Sequence, residues 1–235
     1  MSLATLLLLA DGRLPSGGHA HSGGLEAQVA AGRVRDVEGL GGFLRGKLAT
    51  GGLVSAAFAA AACGDAGRVA AARGDSGRVA AVCGDAGRVA ELDAGLDART
   101  PSPALRKASR AQGRALLRAG RVMWPIPASV GRELHQPVAL GVVAAAAGLG
   151  PGEAAVAAAH ATVTGPASAA VRLLGLDPYA VHALLARLTT ECDRIAAEAA
   201  GRYRDAVDDL PAAGAPLLDI GAEHHATWEV RLFAS

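Results

Sequence analysis

The sequence predicts an all-α fold: a single domain, residues 1–235, arranged as a bundle of roughly eight to ten helices. Alanine, the strongest helix former, is abundant, whereas the aromatic residues that strands favour make up only 3% of the chain. Apolar residues recur at three- and four-residue spacing, and no alternating apolar and polar run indicates a sheet. Because aromatics are scarce, we expect helices that pack closely through Ala, Leu and Val.

The first segment is a leucine-rich helix followed by a glycine-rich loop, residues 15–26. The loop contains one proline, two Gly-Gly pairs, two histidines, two serines and a closing acid. The residues singled out in it are Pro15, Gly17, Gly18, His19, His21, Ser22, Gly23, Gly24 and Glu26. Four glycines within eight residues predict positive φ angles or close backbone approach. Glu26 lies in the first turn of the next helical pattern, where the helix dipole favours an acid. A plain connector between helices is the alternative interpretation.

A decapeptide repeat occupies residues 63–92. The motif Gly-Asp-x-Gly-Arg-Val-Ala begins at Gly64, Gly74 and Gly84. This period is too short for the common helical repeat modules, and two glycines per unit oppose a continuous helix. The arginine in each copy argues against a calcium site. We interpret residues 63–92 as a spacer inserted between two helices.

Further helices are predicted along the rest of the chain. Ser102-Pro103 and Asp177-Pro178 are each a good N-cap followed by proline, and the first of these helices should run to about Arg121. The stretches 138–147 and 154–163 are apolar on most sides and should be central. Prolines interrupt the pattern at residues 124–127 and again at 211–216.

The last segment, residues 211–235, is interpreted as a carboxyl-terminal docking tail. Its final eight residues include four large apolar side chains: Trp228, Val230, Leu232 and Phe233. Exposed tails rarely carry such residues unless they dock on another surface. That surface is either the tail's own domain or a partner protein, and the residues alone leave both open.

Composition excludes several classes of protein. Lys and Arg number 23 against 22 Asp and Glu, a balance that speaks against nucleic-acid binding. The three cysteines, Cys63, Cys83 and Cys192, are widely spaced, so a reducing compartment fits. The uncharged segment 154–171 reads as a buried helix and its turn, with His160 as a core histidine, because it is mostly alanine. A soluble, cytoplasmic protein is expected, with no contact to a membrane.

No catalytic residues are predicted. The chain has neither a G-x-S-x-G elbow nor an H-E-x-x-H zinc helix. Gly18 and Gly23 have the spacing of a phosphate-binding loop, but Gly24 and Leu25 replace the required Lys and Ser/Thr. His19 and His21 suit nickel chemically, yet two imidazoles on one loop make only a weak site. We therefore expect a protein that is not an enzyme, has no cofactor and has no firm metal site.

The loop nevertheless closely resembles the amino-terminal signature of the urease accessory protein F family (UreF), Pro-x-Gly-Gly-x-x-His-Ser-Gly-Gly-Leu-Glu. His19 departs from it, since an aromatic residue is usual there. The resemblance continues through Ala108–Arg114, through His135-x-Pro137-Val138 with Gly141, and through Ala170–Leu173. It ends in a closing segment that includes His225 and the final residues Arg231–Ser235. The chain is thus identified as similar to this family over nearly its whole length.

The resemblance implies a maturation chaperone that binds the accessory protein UreD (also called UreH), forms a homodimer and recruits the GTPase UreG. That assembly docks on apo-urease and supports GTP-dependent nickel insertion. The candidate partner-binding residues are Pro15, Gly17, Gly18, His21, Ser22, Gly23, Gly24, Glu26, Arg172, His225, Arg231, Leu232, Phe233 and Ser235.

Two alternatives stay open. One is a regulator of the partner GTPase, in which Arg172 or Arg231 acts on the bound nucleotide. The other, less favoured, is a direct nickel carrier that uses His19 and His21. Two further departures from the family pattern, Ala226 after His225 and the turn at residues 175–178, suggest partner pairing particular to its own urease system.

Overall fold

The computed structural model describes residues 2–72 and 86–235, and these residues contain no β-strand, so the all-α prediction is confirmed. The α-helices are α1 (Leu3–Ala10), α2 (Leu25–Ala30), α3 (Val37–Lys47), α4 (Leu53–Ala72), α5 (Ala86–Ala98), α6 (Pro103–Met123), α7 (Gln136–Ala146), α8 (Pro151–Leu174), α9 (Pro178–Gly201) and α10 (Pro216–Ala226). A π-helical turn, Leu48–Gly52, joins α3 directly to α4.

The two predicted helix starts are confirmed by their caps. The Ser102 hydroxyl accepts a hydrogen bond from the Leu105 N–H at 3.1 Å, and Pro103 occupies the first turn of α6. Asp177 likewise accepts from two backbone N–H groups at the start of α9. Helix α6 ends where Trp124 turns into an extended conformation, close to the predicted end.

The centre of the bundle is built from small side chains, as the composition predicted. Residues 56–62 of α4 are fully buried, and all of them except Phe58 are alanines. Where α7 crosses α4, a Cβ placed on Gly141 would lie 2.3 Å from the carbonyl oxygen of Ala59. The two backbones are therefore nearly in contact, an approach that only glycine allows. Helices α4, α7, α8 and α9 share this core.

A buried histidine ties three helices together. Nε2 of His135 lies 2.7 Å from an Asp97 carboxylate oxygen on α5, and Nδ1 lies 3.0 Å from the Ser109 hydroxyl on α6. Arg110 bridges the carboxylates of Asp93 and Asp97. Burial lowers the pKa of His135, so a neutral ring that donates through Nε2 and accepts at Nδ1 fits both contacts.

Two details of α8 correct the sequence-based prediction. The turn expected within residues 154–171 does not occur: α8 continues through Pro166 to Leu174, and Pro166 itself is buried. Tertiary packing here overrides the local cost of a helical proline. His160 lies on the exposed side of α8, so its interpretation as a core histidine was wrong. When alanine occupies most sides of a helix, the sequence does not show which face is buried against the rest of the protein.

The two ends of the predicted spacer, residues 63–92, are helical in the structure. Residues 63–72 belong to α4, and residues 86–92 belong to α5. Cys63, Val89 and Leu92 lie in the hydrophobic core, and burial raises the pKa of the Cys63 thiol to about 12. The middle of the repeat, residues 73–85, and with it Cys83, lies outside the described residues.

One helical stretch, Val37–Gly64, has the length and composition of a membrane span, with a mean hydropathy of 1.3 in its most apolar part. Of that part, 61% is buried inside the protein. The same stretch supplies core residues Leu40, Leu44 and Leu48, so we assign it to the interior of the bundle.

Candidate functional site

The glycine-rich loop has the backbone that its sequence predicts. Gly17, Gly23 and Gly24 adopt φ angles of 76°, 62° and 89°, and Gly24 directly precedes α2. A Cβ on Gly23 would lie 3.0 Å from Cγ of Pro166 and 3.4 Å from Cε of Lys47. Glycine is thus required here both for the left-handed conformation and for the close approach of the loop to α3 and α8.

The loop and the end of the chain bind each other. The backbone N–H and the hydroxyl of Ser22 both donate to the main-chain oxygen of Ser235, at 2.6 and 2.7 Å. The Ala234 N–H donates to the carbonyl of Ala20 at 2.7 Å, and Nδ1 of His21 lies 2.7 Å from the Ser235 hydroxyl. We call this arrangement of residues 15–26 and 225–235 the clasp.

Glu26 is the central acceptor of the clasp. One carboxylate oxygen accepts from the Leu232 N–H at 2.8 Å. The other accepts from the Phe233 N–H at 3.0 Å and lies 2.8 Å from Nε2 of His225. Glu26 and His225 are 7% and 3% exposed, so the carboxylate has exchanged most of its water for these partners. A buried carboxylate without them would strongly destabilise the fold.

Phe233 and Arg172 form a cation–π contact that anchors the end of the chain to α8. The Phe233 side chain is only 4% exposed and belongs to the main core. The Arg172 guanidinium lies 4.4 Å from the Phe233 ring centroid, within cation–π range, and also donates to the carbonyl of His19 at 3.0 Å. Arg172 on α8 therefore contacts both halves of the clasp.

Helix α10 has a second attachment to the bundle, which the sequence analysis missed. The Glu223 carboxylate accepts from the Ser102 hydroxyl at 2.5 Å and from the Ala104 N–H at 2.9 Å, so it completes the cap of α6. The hydrogen bond from Ser102 lowers the pKa of Glu223. Cap residues mark helix ends in a sequence, but nothing in the pattern shows that an acid 121 positions away will join the cap.

The outer face of the clasp is exposed and largely apolar. Val230 and Leu232 are 87% and 71% exposed, and Arg231 between them also faces solvent. On α10, Leu217 and Ile220 are also 60% and 66% exposed. At the end of the chain, the Phe233 side chain therefore packs into the core of the protein, whereas the side chains of Val230, Arg231 and Leu232 face solvent.

The structure brings together many of the predicted partner-binding residues. Seven of them contact one another directly in the clasp: His21, Ser22, Glu26, Arg172, His225, Phe233 and Ser235. The loop glycines shape its backbone, and Pro15, Arg231 and Leu232 lie exposed at its surface.

The described residues hold no group of three or more His, Cys, Asp or Glu side chains arranged to bind a metal. His19 is exposed, whereas His21 uses Nδ1 toward Ser235, and burial lowers its pKa. The clasp thus combines hydrogen bonds on its inner side with exposed apolar side chains and an arginine on its outer side.

Comparisons with known proteins show the family to which the chain belongs. A family model described as UreF matches residues 34–189, a range that includes Arg172 and lies between the two halves of the clasp. The chain is 45% identical to proteins named urease accessory protein UreF from Mycobacterium sp. (strain JLS) and Mycolicibacterium vanbaalenii, covering 100% of this chain and 99% of each relative. The Mycobacterium tuberculosis protein of the same name is 40% identical, covering 95% of this chain and 94% of its own length. The chain therefore belongs to the UreF family of urease accessory proteins.

Proposed function

We propose that this protein is a non-catalytic chaperone of urease maturation that links the accessory protein UreD/UreH to the GTPase UreG. In this role it supports GTP-dependent nickel insertion into apo-urease. The observation that carries the proposal is the clasp, which fixes the tail by Glu26 and Phe233 and presents Arg231 and Leu232 outward. Family membership supplies the urease context.

The clasp has the composition of a protein-binding surface. Exposed leucine and valine side chains surround an arginine, a residue that interfaces favour because its guanidinium forms paired hydrogen bonds with carboxylates. The backbone beneath these side chains is held by buried hydrogen bonds, so the surface is ordered before a partner arrives. Preorganisation of this kind reduces the entropy lost on binding.

The proposal also includes a cellular location and an oligomeric state. We infer that the protein acts in the cytoplasm, where apo-urease and the GTPase would be found, and that it functions as a homodimer. Nucleic acid and membrane are not expected as partners, because the charge is balanced and the long apolar stretch Val37–Gly64 contributes to the core.

The test is co-expression of this chain with its cognate UreD/UreH and UreG, followed by size exclusion and mass determination. We expect a stable co-eluting complex for the wild type. Arg231→Ala, at an exposed position, should weaken it without changing the fold, and Phe233→Ala should weaken it by opening the clasp. Arg187→Ala, an exposed arginine of α9, is the matched control. Elution of the wild type alone, or unchanged complex formation in both tail variants, would contradict the proposal.

A second function, regulation of the partner GTPase, is favoured by one observation. Arg231 is exposed on an ordered segment, as a residue that reaches a partner's nucleotide must be. Arg172 is less suitable, since its guanidinium already contacts His19 and Phe233. GTP turnover of UreG measured with wild-type protein and with Arg231→Ala separates this role from simple assembly, because an arginine finger changes the rate by orders of magnitude.

A further inference from the structure

Lys47 is the last residue of α3 and lies behind the glycine loop of the clasp. A Cβ on Gly23 would lie 3.4 Å from Cε and 3.6 Å from Nζ of Lys47, so the amine is next to the loop backbone. The chain has only one other lysine, Lys107, which is exposed on α6. Lys47 directly precedes the π-helical turn Leu48–Gly52, and such turns often occur at functional positions.

The Lys47 amine has no hydrogen bond or ion pair with any described residue. Burial, with no contribution from a charged neighbour, lowers its pKa to about 8. The described residues contain one fully buried side-chain nitrogen without a partner, Nε of Arg121, so Nζ of Lys47 still touches solvent. Lys47 is half-buried, so its amine lies beside the loop backbone and still reaches solvent.

An unpaired amine in this position destabilises the folded protein. Partial loss of water disfavours the ammonium form, and no carboxylate of the described residues compensates for it. Methionine at this position would keep the apolar stem without the desolvation cost of the charge. A cost of this kind, next to a surface that binds other proteins, is typical of a residue whose counter-charge comes from a partner.

We propose that Lys47 is the receptor for a carboxylate of the UreD/UreH partner that docks on the loop side of the clasp. The inference rests on the proposed function and adds the chemistry of one contact: an Asp or Glu side chain of the partner approaches Lys47 beside Gly23 and forms an ion pair with Nζ. Because Lys47 is half-buried, water would screen that ion pair less than one formed at an open surface. Binding of the partner would thereby offset the destabilisation that the unpaired Lys47 ammonium causes in the free protein.

The first experiment measures the affinity of cognate UreD/UreH for the full-length chain and three variants. Lys47→Met should weaken binding at least about tenfold, because the partner's carboxylate would be buried unpaired. Lys47→Arg keeps the charge and should stay closer to the wild type, and Lys107→Met is the matched control. The urea midpoint of unfolding for free Lys47→Met should equal or exceed that of the wild type, which excludes misfolding as the cause of weaker binding.

The second experiment counts protons by calorimetry at pH 8 in buffers of different ionisation enthalpy. An amine with a pKa near 8 is about half neutral in the free protein and fully charged in the ion pair, so binding should take up about half a proton. This uptake should vanish in Lys47→Arg. The inference would be overturned if Lys47→Met bound UreD/UreH as tightly as the wild type, or if Lys47→Arg took up as many protons as the wild type. In either case, weaker binding by Phe233→Ala would still support the proposed function. Absence of binding by the wild type would overturn both.

Discussion

Replacement of Glu26 by glutamine tests whether one buried carboxylate holds the clasp closed. The Glu26 carboxylate has three partners: the N–H groups of Leu232 and Phe233 and the ring of His225. A glutamine amide has a single oxygen, and its NH₂ group would face a donor. The best orientation keeps the oxygen toward Phe233 and His225 and leaves the Leu232 N–H facing another donor.

The magnitude follows from the lost interaction. A hydrogen bond to a charged group contributes about 1.5–3 kcal/mol, and the two that remain also lose their charge assistance. We therefore expect the free energy of clasp closure to fall by about 2–3 kcal/mol. The loss is limited by the closure energy itself, because a detached tail satisfies its donors with water. At about 1.4 kcal/mol per factor of ten, the open population rises roughly 30- to 150-fold.

Hydrogen exchange of the peptide covering residues 229–235 measures this population directly. In Glu26→Gln the amides of Leu232 and Phe233 should exchange roughly 30- to 150-fold faster than in the wild type. The core amides of α4 should keep their wild-type exchange rates. Glu229→Gln is the control, since it removes an exposed acid from the same segment. Tail exchange within threefold of the wild type would refute the view that Glu26 closes the clasp.

Two further predictions concern stability. Gly23→Ala should lower the free energy of unfolding by about 1–2 kcal/mol in urea denaturation, because alanine is strained at φ 62° and its Cβ would lie 3.0 Å from Pro166. Gly42→Ala, inside α3 with nothing within 4 Å, should instead raise it by about 0.5–1 kcal/mol, and equal effects would contradict the backbone argument. Stability should also fall on acidification below about pH 6.5: burial holds the pKa of His135 below its usual 6.5, so the unfolded chain binds the additional proton. A urea midpoint that does not change between pH 7 and pH 5.5 would show that His135 does not remain neutral in the fold.

The sequence alone determined what depends on local chemistry. The cap residues Ser102 and Asp177 begin helices because their side chains bond to N–H groups two or three positions ahead. The Gly-Gly pairs predicted left-handed backbone, which Gly17, Gly23 and Gly24 adopt. Scarce aromatics and abundant alanine predicted the close helix packing seen at Gly141. The loop glycines and Gly141 also carried the resemblance to the UreF family.

Only the tertiary structure decided how distant residues meet. Ser22 and Ser235 are 213 positions apart, and no periodicity or spacing specifies that they hydrogen-bond. The same holds for Glu223 at the cap of α6 and for the unpaired amine of Lys47 beside Gly23. Packing also kept α8 helical through Pro166 against its local preference. Local propensities are set within a few residues, whereas burial, pairing and the cost of an unpaired charge depend on which surfaces the whole chain brings together.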